Sequence, residues 1–223
     1  MGHFSRAPRN RGINEWVSAQ SQPVVFSTSF SYVTPAVTAN KLVRTAVRDW
    51  TFGGFLRFAS GLPIAAPYAQ TGLNSLLLRN LGGGTGTFDI RMPGVPLYLD
   101  SLNCHCINPN KDLVLNPAAW QEPARGQFGG PAYYSDYRYQ RRPAESLSLG
   151  RAFRFREAMS LEIRMEFFNV FNRTEMNNPD GTYLLLTPVR DSTGNLVSGF
   201  GRINPGGPFS PPREGQLLAR FRF

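Results

Sequence analysis

Ser160-Leu-Glu-Ile-Arg-Met-Glu-Phe-Phe-Asn-Val-Phe171 is the segment that decides the fold of this chain. Apolar and charged residues alternate along it, and a β-strand would place the two sets on opposite faces, because successive side chains of a strand point to opposite sides. A helix would scatter the apolar residues, since residues two apart on a helix point about 200° away from each other. The segment therefore predicts a strand with one apolar face and one face that carries both signs of charge. The apolar face holds Leu161, Ile163, Met165, Phe167 and Phe171, and the charged face holds Glu162, Arg164 and Glu166.

Four further segments have the composition or alternation of strands, near residues 24–33, 50–60, 145–155 and 216–223. Each strand is roughly nine to twelve residues long, the length that a tilted strand needs to cross the hydrocarbon layer of a membrane. Strands of soluble proteins are more often about five or six residues long. The last segment ends on an aromatic residue and is interpreted as a membrane-anchoring strand. Its apolar face holds Leu217, Ala219, Phe221 and Phe223.

The connections between these strands alternate in length. Glycine and proline, 22 and 18 of the 223 residues, are concentrated in a few stretches and indicate irregular loops. Bacterial outer-membrane barrels have short periplasmic turns on one rim and long extracellular loops on the other. The pattern of this chain fits that asymmetry. The short connections are 34–49 and 156–159, and the long ones are 61–144 and 172–215.

The predicted fold class is all-β, an antiparallel transmembrane β-barrel fragment with about five long strands. Residues 1–23 are interpreted as the remnant of an extracellular loop and residues 24–223 as the C-terminal part of the barrel. The connection 156–159 leaves room only for a tight turn, so the strands on either side of it are expected to form a hairpin. Five strands do not close a barrel, because backbone groups at both edges would be left unpaired in lipid. We therefore expect the barrel to be incomplete.

Composition argues against several other classes of protein. The net charge is +9, but the arginines are scattered rather than gathered into a basic stripe with interleaved aromatics, so we expect no nucleic-acid partner. No apolar run approaches the ~20 residues of a membrane-spanning helix. Residues 1–15 lack the apolar region of a secretory signal peptide, so any export signal is expected upstream.

The sequence offers little catalytic or metal-binding chemistry. His3 and His105 are the only histidines, and neither lies in a motif that suggests a catalytic triad. Cys104 and Cys106 flank His105, but a soft-metal site needs further ligands, so a local disulfide or two free thiols are the alternatives. The glycine-rich stretch 82–86 lacks the context of a phosphate-binding loop and is interpreted as a flexible loop. We expect no enzyme activity, no cofactor and no metal.

A tyrosine and arginine segment, Tyr133-Tyr-Ser-Asp-Tyr-Arg-Tyr-Gln-Arg-Arg142, is the best candidate for contact with a ligand. Tyrosine offers rigid amphipathic area and arginine recognises carboxylate or phosphate, so an outward loop of this composition would suit an anionic nutrient. The alternative is an interfacial girdle whose arginines meet lipopolysaccharide phosphates. The candidate residues are Tyr133, Tyr134, Tyr137, Arg138, Tyr139, Arg141 and Arg142.

The alternating charges of 162–166 are interpreted as a row that faces the lumen of a barrel. There they would pair with charges on adjacent strands, such as Arg154 or Arg220, because directly opposed side chains of a sheet interact. Acid or base catalysis by this row is not expected.

Several segments resemble the C-terminal end of TonB-dependent outer-membrane receptors. Among these receptors the chain looks most like the Oar-like group, whose members typically carry an N-terminal carboxypeptidase-regulatory-like domain. The Glu-Phe-Phe-Asn-Val-Phe-Asn segment at 166–172 is the most specific element. The other similar segments are 147–155, 161–165, 200–203 and 216–223, with 60–63, 116–120 and 128–130 in or beside the long loop.

The resemblance implies import of a scarce nutrient across the bacterial outer membrane by energised displacement of a plug. Family members have a barrel of about 22 strands, a plug domain and an N-terminal box that engages the energy-transducing partner. Only five strands and neither plug nor box are visible here, so the chain is expected to be a fragment that does not function alone. The implied partners are outer-membrane lipid and lipopolysaccharide, the remaining barrel and plug, the TonB complex through the missing N-terminal part, and the barrel-assembly machinery through the C-terminal strand.

Two alternatives remain open at this point. One is a secreted or surface β-rich binding module that recognises glycans or anionic ligands, and the other is a decayed fragment without a function of its own. Strand length distinguishes the first from a barrel, because a soluble sandwich has shorter strands with one face packed on a second sheet.

Overall fold

A computed structural model describes residues 15–35, 40–70, 87–104, 106–124, 127–156, 159–206 and 212–223. The predicted loop 82–86, His105 and the centre of the predicted turn at 157–158 lie outside the described residues, as do 1–14 of the predicted N-terminal loop and 207–211 of the last long connection. The chain divides into two compact units. We call them the sheet unit, with described residues 24–35, 40–59, 142–156, 159–175 and 212–223, and the loop unit, with described residues 15–23, 60–70, 87–104, 106–124, 127–141 and 176–206.

The described secondary structure consists mainly of strands. A helix, α1, spans Lys41–Val47, and a 3-10 turn spans Pro117–Ala119. In chain order the strands are β1 (Val25–Val33), β2 (Trp50–Ala59), β3 (Pro63–Ala65), β4 (Ile90–Arg91), β5 (Trp120–Gln121), β6 (Tyr133–Arg138), β7 (Ala144–Arg156), β8 (Met159–Phe168), β9 (Val189–Arg190), β10 (Leu196–Ser198) and β11 (Glu214–Arg222).

The sheet unit is built on one antiparallel sheet of five strands in the order β1-β2-β7-β8-β11. These are the five predicted strands, and they are 9 to 13 residues long. The predicted hairpin is present, since β7 pairs with β8 from Ser146 opposite Phe168 to Arg156 opposite Met159. The sheet is open, with β1 and β11 at its edges.

The fourth predicted strand was expected to reach residue 171 but ends at Phe168. Asn169 and Asn172 have φ angles of 47° and 51°, in the left-handed region that interrupts a strand and that asparagine tolerates better than most residues. Phe171 therefore lies beyond the strand and does not continue its apolar row.

The register of the sheet creates two unlike faces. Leu149 on β7 stands opposite Phe52 on β2 and Met165 on β8, which makes an apolar row. The neighbouring residue Ser148 stands opposite Glu166, which makes a polar row. The predicted alternation is thus continued across the strands. The apolar face includes Phe26, Phe30, Tyr32, Phe58, Leu147, Phe153, Leu161, Ile163, Phe167, Leu217, Ala219 and Phe221.

Much of the apolar face is exposed in this chain. Phe26 is 57% exposed, Leu217 70% and Phe221 50%, and Phe223 just beyond β11 is 95% exposed. A continuous surface of this kind is unfavourable in water and favourable against hydrocarbon.

The loop unit corrects the expectation that the long connections are irregular throughout. The described residues of the segments 61–144 and 172–215 form six short strands and a hydrophobic core. Strands of two to six residues are too short to give a clear alternation in sequence, and their core is assembled from distant parts of the chain. The fully buried core members include Ile64, Val114, Leu115, Ala119, Tyr137 and Ile203.

The short connection 34–49 also holds more structure than expected, because it contains α1. Asn40 caps this helix, and its side-chain oxygen accepts hydrogen bonds from the backbone N–H groups of Leu42 and Val43. None of the described helices is long and apolar enough to span a membrane.

Candidate functional site

The tyrosine and arginine segment lies mostly in the loop unit, where β6 pairs antiparallel with β3. Tyr137 is fully buried, with its ring centroid 5.7 Å from that of Tyr98 and 5.1 Å from that of Trp120. Burial raises the pKa of Tyr137, and its hydroxyl has no hydrogen-bond partner in the described structure. Tyr137 is therefore a core residue, and its side chain does not reach the surface.

Arg138 is bonded within the loop unit. Its guanidinium donates hydrogen bonds to the carbonyl oxygens of Ser135, Ser21 and Gly61 at 2.5, 2.5 and 3.1 Å. The Tyr98 hydroxyl donates to the Arg138 carbonyl at 2.8 Å. A charged group that donates to several carbonyls joins separate segments of chain, so Arg138 has a structural role whatever it contacts outside.

Sequence reasoning overlooked Arg91, which forms a paired contact with this segment. Its two terminal nitrogens donate to the two carboxylate oxygens of Asp136 at 2.9 and 2.7 Å, and its guanidinium carbon lies 5.4 Å from the centre of the Tyr134 ring. The hydrogen bond from Arg91 lowers the pKa of Asp136. No local pattern links residues 45 positions apart, so this pairing was not accessible from sequence.

Three of the seven candidates line one cavity of about 370 Å³ in the loop unit, namely Arg138, Tyr139 and Arg141. The backbone N–H and Nε of Arg141 both donate to Oδ1 of Asn103, at 3.1 and 3.3 Å. Tyr133, Tyr134 and Tyr139 are partly buried against the hydrophobic core. Arg142 belongs to the sheet unit. The seven residues therefore do not form one cluster.

A buried carboxyl group in the loop unit was not foreseen. Asp89 is fully buried, and neither of its side-chain oxygens has a hydrogen-bond partner in the described structure. Burial, followed by the charge of Glu122, raises the pKa of Asp89 to about 7.

The polar face of the sheet carries the predicted row of charges. Nε of Arg164 lies 2.8 Å from a carboxylate oxygen of Glu166, and Gln216 donates to the same carboxylate at 2.5 Å. Arg220 stands directly opposite Glu162 on the adjacent strand, which is the position that the predicted pairing requires. The prediction for Arg154 was wrong, because it pairs with Asp49 in the connection before β2 at 3.3 Å.

A cavity of about 490 Å³ lies in the sheet unit where β2 ends and β7 begins. Phe55 and Phe168 stand on either side of Ser146 in the register of the polar face. Both rings are about two-fifths exposed, at 40% and 42%. Arg57 and Arg142 line the same cavity. We call this site the aromatic cleft, since it combines two open phenyl rings with cationic groups.

An ion pair between an exposed arginine and a buried carboxylate lies at the rim of the aromatic cleft. Nε of Arg173 donates to Oε1 of Glu145 at 2.8 Å, and the Glu145 side chain is only 1% exposed. Asn169 positions Arg173, since its Oδ1 accepts from the Arg173 backbone N–H at 2.8 Å and its Nδ2 donates to the Arg173 carbonyl at 2.9 Å. Within the segment 166–172, the left-handed turn at Asn169 therefore holds Arg173 in place for its pair with Glu145.

The charge balance of the aromatic cleft favours an anion. Three arginines line it, against the carboxyl groups of Glu145 and Glu175. Burial raises the pKa of Glu175, the charge of Arg142 opposes this shift, and the charge of Glu145 adds to it. With three arginines against two carboxyl groups, the cationic groups of the cleft are in excess.

The two cysteines form a disulfide, with their Cα atoms 5.2 Å apart, and this decides between the two alternatives that the sequence left open. Among the described residues, no group of three or more His, Cys, Asp or Glu side chains is arranged to hold a metal ion.

Comparison with known proteins gives one match. A family model described as an outer membrane beta barrel domain matches residues 2–216. No curated protein matches the chain, and no solved structure matches it.

Proposed function

The chain belongs to the outer membrane beta barrel domain family and is a protein of the bacterial outer membrane, and from this premise we propose that it is the C-terminal barrel segment of a TonB-dependent receptor that imports a scarce nutrient. The resemblance of segments such as 166–172 to the Oar-like receptors supports the finer assignment. In this role the protein binds and translocates its ligand without making or breaking bonds.

The observation that carries this proposal is the division of the long-stranded sheet into two faces. The apolar face supplies an outer surface for lipid, and the polar face supplies a lumen wall with charges of both signs. The aromatic cleft lies on the polar side of the wall, where a ligand in the lumen would meet it. Strands of 9 to 13 residues argue against a soluble sandwich.

The open edges of the sheet support the proposal that further strands complete the barrel. The backbone groups at the outer edges of β1 and β11 need partners in lipid, since an unpaired N–H or C=O there costs several kcal/mol. The remaining barrel and the plug of the receptor are the proposed partners, together with the TonB complex. Membrane lipid and lipopolysaccharide surround the wall, and the barrel-assembly machinery engages β11.

The ligand that the aromatic cleft suits best is an anion with a flat or apolar part. Phe55 and Phe168 offer faces for an apolar group, and the excess of arginine favours carboxylate or phosphate. The exposed members of the tyrosine and arginine segment are proposed as further ligand contacts, with Arg141 beside the loop-unit cavity as one example.

Growth under nutrient limitation tests this function. A strain that lacks the gene is compared with its parent on a panel of iron chelates, oligosaccharides, peptides and vitamins at limiting concentration. We expect one nutrient to support growth of the mutant only at a concentration clearly higher than the parent needs, because active import across the outer membrane is lost. The same defect is expected in a strain that lacks the TonB protein, because energised displacement of the plug would fail.

The second arm of the experiment measures binding of the identified nutrient to whole cells. Binding is expected to persist without TonB while uptake is lost. If both binding and growth are independent of TonB, the protein is a surface binding module instead. If no nutrient on the panel distinguishes the gene deletion from its parent, the import proposal fails.

A further inference from the structure

The helix α1 has two unlike sides although it is only seven residues long. At 100° per residue, Leu42, Val43, Ala46 and Val47 fall within an arc of about 140°, and Lys41, Arg44 and Thr45 occupy the remainder. None of its residues is buried, and Leu42, Val43 and Val47 are 82%, 47% and 40% exposed. Within the described chain, the apolar side of α1 is not covered by the protein.

Two residues of the apolar face donate hydrogen bonds to carbonyl groups at the C-terminal end of α1. Nε1 of Trp50 donates to the Ala46 carbonyl at 2.9 Å, and the Arg151 guanidinium donates to the Thr45 carbonyl. Both residues belong to the apolar face, where they stand opposite each other on β2 and β7. The helix is therefore attached at the edge of the surface that faces lipid.

The side chains around this attachment, two aromatic rings and an arginine, are of the types found at a membrane interface. The Arg151 guanidinium carbon lies 5.2 Å from the Trp50 ring centre and 4.9 Å from the Phe153 ring centre. Aromatic rings at the end of a lipid-facing strand, with an arginine that reaches toward polar groups, are typical of the headgroup level of a bilayer.

We propose that α1 is an interfacial anchor that lies in the phospholipid leaflet at the short-connection rim of the barrel. Leu42, Val43 and Val47 enter the boundary with the acyl chains, and Lys41 and Arg44 contact lipid phosphates. Two observations select this occupant. The C-terminal end of α1 is bonded by Trp50 and Arg151 at the edge of the lipid-facing surface, and the side of the helix opposite its apolar residues is cationic, which complements anionic headgroups.

This role is independent of nutrient import, since it follows from the family and from the geometry of the β1–β2 connection. A helix this short would bind a membrane only weakly by itself. The flanking strands β1 and β2 hold it at the membrane surface, so its insertion is effectively intramolecular and needs little affinity of its own.

Site-specific fluorescence tests the anchor. The variants Val43→Cys and Thr45→Cys, which lie about 160° apart around the helix, are labelled with an environment-sensitive dye, and Cys104 and Cys106 do not compete because both are in the disulfide. The complete barrel that contains this chain is reconstituted into vesicles of phosphatidylethanolamine and phosphatidylglycerol. A Leu149→Cys variant, labelled in the centre of the apolar face, identifies preparations in which the sheet has inserted.

We expect the label at position 43 to emit at shorter wavelength and to be quenched by aqueous iodide at least about threefold less than the label at position 45. Lipids with bromine on their acyl chains should quench position 43 and spare position 45. The double variant Lys41→Glu with Arg44→Glu should increase iodide quenching at position 43, because repulsion replaces attraction to the headgroups.

Three results would overturn parts or all of the proposal. Equal iodide quenching at positions 43 and 45, with position 149 protected, shows that α1 stays in water. Protection of position 43 from iodide without quenching by brominated lipid shows that protein covers the helix. Unchanged quenching in the charge-reversed variant shows that Lys41 and Arg44 do not contact lipid phosphates.

Discussion

Replacing Arg173 with alanine should destabilise the sheet unit at the aromatic cleft, because it leaves the Glu145 carboxylate without its partner. The carboxylate is almost fully buried, at 1% exposure, and receives the Arg173 Nε at 2.8 Å. Removing one member of a buried ion pair costs about 3–5 kcal/mol. Arg173 itself is 41% exposed, so solvent screens the pair and we expect a smaller loss, about 2–3 kcal/mol.

Unfolding in urea measures this loss. The full chain in detergent micelles is followed by tryptophan fluorescence and by the midpoint of the transition. The matched control is Arg154→Ala, which breaks the exposed pair with Asp49 and should cost no more than about 1 kcal/mol. Adding Glu145→Gln to Arg173→Ala should recover much of the loss, because the amide carries no charge to be left unpaired.

The reasoning is refuted if Arg173→Ala unfolds at the same urea concentration as the wild type, or if it is no more affected than Arg154→Ala. A double variant as unstable as Arg173→Ala would contradict the account in a different way. In that case the loss would come from the packing of the arginine stem and not from the unpaired carboxylate.

Three further predictions follow from the two faces and from the loop unit. Leu149→Arg on the apolar face should lower the free energy of unfolding in lipid by about 2–4 kcal/mol, and Ser148→Arg on the polar face by about 1 kcal/mol or less. Urea unfolding in vesicles measures both, and equal losses would mean that the faces are misassigned. Asp89 has a pKa raised to about 7 from a normal value near 3.8, so its contribution to stability is fully present below that normal value and is lost as pH rises through about 7. Asp89→Asn should remove this decline in denaturant midpoints, and an unchanged pH profile would exclude Asp89 as its source. Gly61→Ala would bring a methyl group into contact with the Tyr139 carbonyl oxygen and should destabilise the loop unit by about 2–3 kcal/mol, measured by hydrogen exchange. If the amides of the variant are as well protected from exchange as those of the wild type, the backbone has room for the methyl group.

Local alternation was enough to predict the sheet. The period of two in 160–168 depends only on neighbouring residues, so the strand, its two faces and its hairpin with β7 were readable without coordinates. The end of that strand was misjudged by three residues. A left-handed φ at Asn169 interrupts it, and alternation of side chains does not report the backbone angle of one asparagine.

The candidate ligand residues were chosen by composition, and here tertiary structure decided their roles. Tyr137 packs against Tyr98 and Trp120. The Arg138 guanidinium donates hydrogen bonds to backbone carbonyls, including that of Ser21, which is distant in the chain. Composition identifies side chains that are able to bind a ligand. It does not say which of them the fold turns inward.

What the sequence determined by itself is the class of the protein: an antiparallel sheet of long strands with a lipid face and a lumen face, which the family match places in the outer membrane. The alternation of apolar and polar residues is local and repeats every two residues, so it can be recognised without knowledge of the fold. Only tertiary structure decided the core of the loop unit, the pair Glu145 and Arg173, and the attachment of α1 by Arg151. Each depends on residues far apart in the chain, which become neighbours only when strands of specific register bring them together.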